Sequence, residues 1–367
     1  MDASANTDAL APIGDSQDGF SEQLPAGGNL PSVVSDSSLC LSLIIATKGR
    51  AGPLDAALES AAKALPAGGE VIVVDGDRER SAEAVTVRVE SRHPTLDLRY
   101  VTSTPGAAVQ RNVGIDAARG DIVAFVDDDC TFEPGLFEAL LAAYRDPDVV
   151  GATGHVAGGS SGSRLGSNPN SRLRRLALGG GRQGSMSDFG FRRPIVDIEQ
   201  ARDVEFMPGP LMSARRSAAA EVRFDERLAA YSLCEDDDFS FRLSRHGRIR
   251  YVPSAVVRHQ ELGWSRKDRR ELDRIQVVNR AYLFRKNFPQ TLRARAGFAA
   301  LMAVLCGHRV LNREWSGLRG LLEGIGHVYR SRRTRTRPRA GRKNLLLAAV
   351  LFSAELLESI VGPLPLA

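Results

Sequence analysis

A chain of 367 residues with 43% hydrophobic residues has material for one large α/β domain with an extension, or for two domains. The net charge of +5 is modest, and its uneven spread matters more than its sum. Cys40, Cys130, Cys234 and Cys306 lie far apart with no CxxC pair, which argues against a disulfide framework or a zinc knuckle and for free thiols in a reducing cytoplasm.

Residues 1–38 are rich in Ser, Gly, Asp and Pro and open with Asp2 and Asp8. They lack a basic start followed by an apolar run, so they read as a disordered tail with no export signal. From Leu41 the texture changes. Leu41 to Thr47, Glu70 to Asp75, Asp97 to Thr102 and Asp121 to Asp127 are short apolar runs of strand length. Helix-like stretches, roughly 53–65, 79–92 and 107–118, separate them. Alternation of this kind predicts a mostly parallel sheet covered on both faces. Ligands of such sheets bind beyond the carboxyl ends of the strands. Lys48, Asp75 and Asp127, each at or just beyond a strand end, are therefore expected in one cleft.

Pro134 to Arg145 reads as a helix and Val149 to Ala157 as a strand. Residues 158–187 form a long Gly/Ser/Arg-rich loop, expected to shape an acceptor site. Val204 to Met212 looks strand-like, interrupted by Pro208-Gly209-Pro210, and Asp236 to His246 is a helix ending at Gly247. Ile249 to Val257 is a strand that leads to His259. From residue 263 to the end the chain reads as a helical extension. Within it, Ala296 to Cys306 and Leu345 to Ala354 are apolar, and Arg330 to Lys343 carries eight basic residues. That pairing predicts peripheral contact with an anionic membrane on its cytoplasmic face. The basic stretch has no aromatic residues interleaved, so nucleic acid is not expected as a partner.

Asp127-Asp128-Asp129 follows a buried strand directly. Three adjacent carboxylates repel one another, a cost that a divalent cation offsets, and hard oxygen ligands suit magnesium or manganese. Arg111, upstream, has the planar fork that suits a phosphate or nucleotide. Glu235-Asp236-Asp237-Asp238 opens a helix, where carboxylates are favoured, and four acids exceed what capping needs. A carboxylate there suits the general base of a group transfer. His259, at a strand end, is a credible metal ligand.

The order of these pieces resembles family 2 of the glycosyltransferases, which have the GT-A fold. The resemblance rests on the opening strand into Thr47-Lys48-Gly49-Arg50, Val73-Val74-Asp75-Gly76-Asp77, Arg111-Asn112-Val113-Gly114 and Asp127-Asp128-Asp129. It continues through Phe224-Asp225-Glu226-Arg227, Glu235-Asp236-Asp237-Asp238 and the run from Tyr251 to His259, and so covers about 41–260. It implies a GT-A domain over 39–262, inverting, with a nucleotide-sugar donor and a glycan or lipid-linked acceptor of polysaccharide, cell-wall or glycolipid assembly. Asp75 would contact the base of the nucleotide, Asp127 the ribose, and Asp129 with His259 a manganese or magnesium ion. Thr47, Arg50, Asp77, Arg111 and Asp128 would complete the donor site. Asp236, beside Glu235, would be the catalytic base. The runs of acids leave the register open: Asp128 is an alternative to Asp127 or Asp129, and Asp237 to Asp236. Where the family often has an acidic pair after the second strand, this chain has Asp75-Gly76-Asp77.

A dinucleotide-binding dehydrogenase and a P-loop nucleotidase lack their glycine fingerprints here. A sugar-nucleotide-forming nucleotidyltransferase and an inactive membrane-surface scaffold of the same fold are the remaining alternatives.

Overall fold

The computed structural model describes residues 39–158, 181–195, 198–228, 233–260 and 269–333. The expected tail 1–38, residues 159–180 of the long loop, Leu345 to Ala354 and most of Arg330 to Lys343 lie outside the described residues.

Strands β1 (Leu41–Thr47), β2 (Glu70–Asp75), β3 (Asp97–Thr102) and β4 (Ile122–Asp127) alternate with helices α1 (Ala51–Ala64), α2 (Glu83–Arg92) and α3 (Ala107–Ala117). β2 is buried along its whole length, while β3 is half exposed because it is the sheet edge. Then come β5 (Cys130–Phe132), α4 (Leu136–Ala143), β6 (Val149–Ala157), β7 (Arg202–Val204), β8 (Met212–Arg215), α5 (Arg216–Val222), α6 (Glu235–Leu243) and β9 (Arg248–His259). The described residues close with α7 (Arg269–Asn287), α8 (Leu292–Leu311) and α9 (Trp315–Arg333).

The strands form one mixed nine-stranded sheet in the order β3-β2-β1-β4-β8-β6-β9-β5, with β7 on β9. The first four strands are parallel, and β8 runs antiparallel to both neighbours. Strand order reverses between β1 and β4, which opens a crevice at their carboxyl ends. The strand expected over Val204 to Met212 is replaced by the end of β7, a turn, and the start of β8. Pro208 and Pro210 have no N–H for a ladder, so the segment leaves the sheet, and Leu211 N closes a turn on Pro208 O at 3.0 Å.

Apolar side chains fill both faces of the sheet. On one face Phe125 of β4 meets Phe224 edge-on at 5.0 Å, and Phe224 stacks on Phe239 of α6 at 4.1 Å. These rings fix the acidic start of α6 relative to the acidic end of β4. A third apolar cluster joins α6, residues 186–191 and the three C-terminal helices. There α9 lies hard against α7: a Cβ at Gly320 would stand 2.0 Å from the carbonyl oxygen of Arg270, so only glycine permits the approach. α7 is also bolted to α6 by polar contacts, Asn287 to Asp238 at 2.8 Å and Lys286 to Asp238 at 3.0 Å.

Candidate active site

β1 delivers Thr47 between two acidic strand ends. Thr47 is in register with Asp75 of β2, and Ala46 with Asp127 of β4. Gln110 of α3, buried, holds the ends of β1 and β2 together by donating to the carbonyls of Thr47 at 2.7 Å and Val74 at 2.8 Å.

The three aspartates after β4 face different ways. Asp127 is the open one, with 35% of its side chain exposed against 4% for Asp128 and 6% for Asp129. Asp128 accepts from the Thr47 hydroxyl at 2.7 Å and from Arg50 at 2.6 Å. Burial pushes its carboxyl up to about 6 against the pull of Thr47 and Arg50. Asp129 accepts from the other arm of Arg50 at 2.6 Å, and its Oδ1 lies 3.0 Å from His259 Nε2. Burial raises the Asp129 carboxyl, but His259 and Arg50 outweigh it and hold the group below its usual range.

The short strand β5 explains why His259 arrives there. It runs antiparallel to β9 and sets Cys130 opposite His259. Asp129, Cys130 and His259 thus offer atoms within 4.8 Å of one another. The Cys130 thiol donates to Pro210 O, and burial pushes its pKa far up, so it stays protonated and is no partner for a hard cation. Asp129 Oδ1 is buried and receives no well-aligned hydrogen bond. A carboxylate oxygen left so, beside an imidazole, fits manganese or magnesium.

Of the four acids that open α6, three turn inward. Glu235 meets Arg111 at 2.8 Å, and burial pushes its carboxyl up to about 8 although Arg111 opposes the shift. Asp237 is fully buried 2.5 Å from Arg280 of α7, and Asp238 is held by Arg242, Lys286 and Asn287. Asp236 keeps 15% of its side chain exposed, beside Arg192 at 3.1 Å. Burial raises Asp236, but Arg192 and Arg280 outweigh it and keep the carboxyl below its usual value. In Asp237 burial wins over Arg280 and Arg192, and the carboxyl is raised. A Cβ on Gly209 would stand 3.7 Å from Asp236 Oδ2, so the proline-flanked turn approaches Asp236 without a side chain.

Two expected contacts take a different form. Asp75 is fully buried and presents no oxygen to the cleft: Oδ1 accepts from Asp77 N at 2.8 Å, and Oδ2 from Ala82 N and the Tyr100 hydroxyl. It shapes the loop after β2, on which Asp77 is partly exposed and Glu79 exposed. Arg111 is 3% exposed and spans the two acidic clusters, meeting Glu235 at 2.8 Å and Asp127 at 3.1 Å, rather than standing open to a phosphate.

The pattern that defines glycosyl transferase family 2 matches residues 42–222, just under half of the chain. The chain carries a family 2 glycosyltransferase domain. A pre-mycofactocin glycosyltransferase of Mycobacterium tuberculosis is 31% identical over 169 residues, which is 46% of this chain and 33% of that one. An uncharacterized glycosyltransferase of Haemophilus influenzae is 37% identical over 110 residues, covering 30% of this chain and 36% of that one. The chain thus spans about a third of the length of these curated relatives. A mannosyltransferase of Pyrobaculum calidifontis, solved with GDP-Man and Mn2+, superposes with a TM-score of 0.51 at 17% identity over 87% of this chain and 80% of that one. The shared fold is GT-A, and the family pattern ends before Asp236, His259 and Arg280, so part of the candidate site is built by chain beyond it.

Sequence reasoning missed Gln110, Arg192 and Arg280. Gln110 lies in the helix that carries Arg111, one residue before it, and polar burial is not written in its neighbours. Arg192 and Arg280 sit in a loop and in a charged helix, where an arginine reads as solvated.

Proposed function

We propose that the protein transfers a glycosyl group from a nucleoside-diphosphate sugar to an acceptor hydroxyl, with inversion at the anomeric carbon. The observation that carries this reading is that, of the four acids opening α6, Asp236 alone keeps an exposed edge, and its neighbour Glu235 is tied through Arg111 to Asp127. Held below the ordinary carboxylate range, Asp236 stays ionised at neutral pH and can take the acceptor proton. Asp127 and Asp77 offer carboxylates to the hydroxyls and base of a nucleoside, and Arg111 keeps Asp127 and the helix of the base in fixed relation. Asp129 and His259 would hold a manganese or magnesium ion, whose charge would offset that of the departing diphosphate. With acceptor and leaving group on opposite faces of the sugar, no covalent enzyme intermediate is needed. A panel of UDP-, GDP- and dTDP-sugars with Mn2+ tests the reading: one donor is expected to release its nucleoside diphosphate, and no release from any donor overturns it.

The acceptor class we propose is a glycan or lipid-linked precursor met at a membrane surface. Among the described residues one helix, Leu292–Leu311, is long and apolar enough to cross a membrane by length and composition, with 28% of its most apolar 18-residue stretch buried. Leu292, Val310, Leu311 and Trp315 are exposed along α8 and its turn into α9, beside exposed Arg293, Arg295 and Arg313. Apolar tips among arginines suit shallow contact with an anionic leaflet. The full chain is expected to pellet with phosphatidylglycerol-containing vesicles at low salt, and Leu311→Glu/Trp315→Glu to stay in the supernatant. Equal pelleting of both removes this surface from the account.

A further inference from the structure

Arg50 lies against the carboxylate a cation would use. It caps α1 directly after Gly49, which has a φ of 65°, and its guanidinium spans two separate carboxylates: one arm on Asp128 Oδ1 and the other on Asp129 Oδ2, each at 2.6 Å. Both partners are nearly buried, while 38% of the Arg50 side chain faces solvent. The arginine therefore closes the acidic pocket from the open side. The remaining supports come from elsewhere: the Thr47 hydroxyl donates to Asp128, and the backbone of Asp129 is pinned where its carbonyl accepts from Gln260 N at 3.0 Å, so both residues keep their places when the guanidinium leaves.

A divalent ion and a guanidinium on the same Asp129 carboxylate repel each other. At such short range, and partly shielded from water, that repulsion is large. A lone cation must displace Arg50, and the displaced guanidinium exchanges two charge-assisted hydrogen bonds for weaker ones to water. A diphosphate is the chemistry that replaces them, because its oxygens match the guanidinium fork. We infer that Arg50 is an internal counter-ion that keeps the acidic pocket closed to a lone cation and moves to the diphosphate when nucleotide and cation arrive together. Cation and nucleotide affinities are then coupled through one side chain, and by linkage each raises the other equally. This rests on the metal and donor reading above.

Mn2+ titrations followed by electron paramagnetic resonance test it on the full chain, on Arg50→Gln and Arg50→Met, and on Arg50→Gln/Asp129→Asn, with thermal melts to confirm folding. With Mn2+ alone, both single variants are expected to bind about tenfold more tightly than the wild type, the scale of an ordinary coupling between two sites. With UDP or GDP added in turn, the wild type is expected to gain Mn2+ affinity, and the single variants to gain about tenfold less. Single variants that fold and bind Mn2+ no more tightly than the wild type, while the double variant loses the ion, overturn the role of Arg50 and leave the metal site standing. Binding by Arg50→Gln that survives Asp129→Asn, or no binding in any protein, overturns the metal site and this inference with it.

Discussion

Asp236→Asn is expected to lower turnover by roughly two or more orders of magnitude, the usual worth of a positioned base, with donor affinity little changed. Asp236 is the acid of its run with an exposed edge, and the substitution keeps its size and its place at the start of the helix. The contrast with its neighbour is the informative part. Asp237 is fully buried against Arg280, 2.5 Å away, with Arg192 at 3.7 Å. Removing one partner of a buried pair strands the other charge, so Asp237→Asn is expected to cost about 3–5 kcal/mol of stability, read in a urea titration. If Asp237→Asn unfolds no earlier than the wild type but loses turnover, and Asp236→Asn remains active, the base is the third acid of the run and not the second.

Chelation is expected to abolish transfer, and Mn2+ or Mg2+ to restore it. A bound cation contributes several kcal/mol to stabilising a leaving diphosphate, so Asp129→Asn is expected to lose on the order of a hundredfold or more in rate at saturating donor. His259→Ala is expected to raise the Mn2+ concentration needed for half-maximal rate more than it lowers the rate at saturating metal, because Asp129 and the donor phosphates would remain as ligands. Full activity of Asp129→Asn in a chelator would contradict the cation's part in the reaction.

The regular part of the fold was legible because it obeys one rule. Strands buried on both faces read as near-continuous apolar runs, and Leu41–Thr47 and Glu70–Asp75 have the ends their residues suggested. Helix ends were less legible: the stretch expected from 79 begins at Glu83, after a loop held by hydrogen bonds to Asp75. Short pieces stayed hidden. β5 is three residues long and has no periodicity to read, yet its pairing with β9 brings His259 to Asp129.

The acidic clusters stood out in the sequence because runs of like charge at a strand end and a helix start are costly without a purpose. Their division of labour did not stand out. Which acid faces the cleft depends on helix phase and on arginines from distant segments: Arg192 from the loop before β7 and Arg280 from α7. Asp75 shows the same limit. It ends a strand beside the cleft, as ligand-binding carboxylates do, but Tyr100 and two backbone amides from its own loop consume its oxygens.

The central claim is direct displacement at the anomeric carbon by an acceptor hydroxyl that Asp236 deprotonates. The anomeric configuration of the first product tests it most directly, read by proton NMR coupling constants as transfer begins with the donor identified in the nucleotide-sugar panel. The account predicts a product of inverted configuration from the wild type and almost none from Asp236→Asn. A product that retains the donor's configuration would contradict it, since retention requires either two successive displacements or departure and attack on one face.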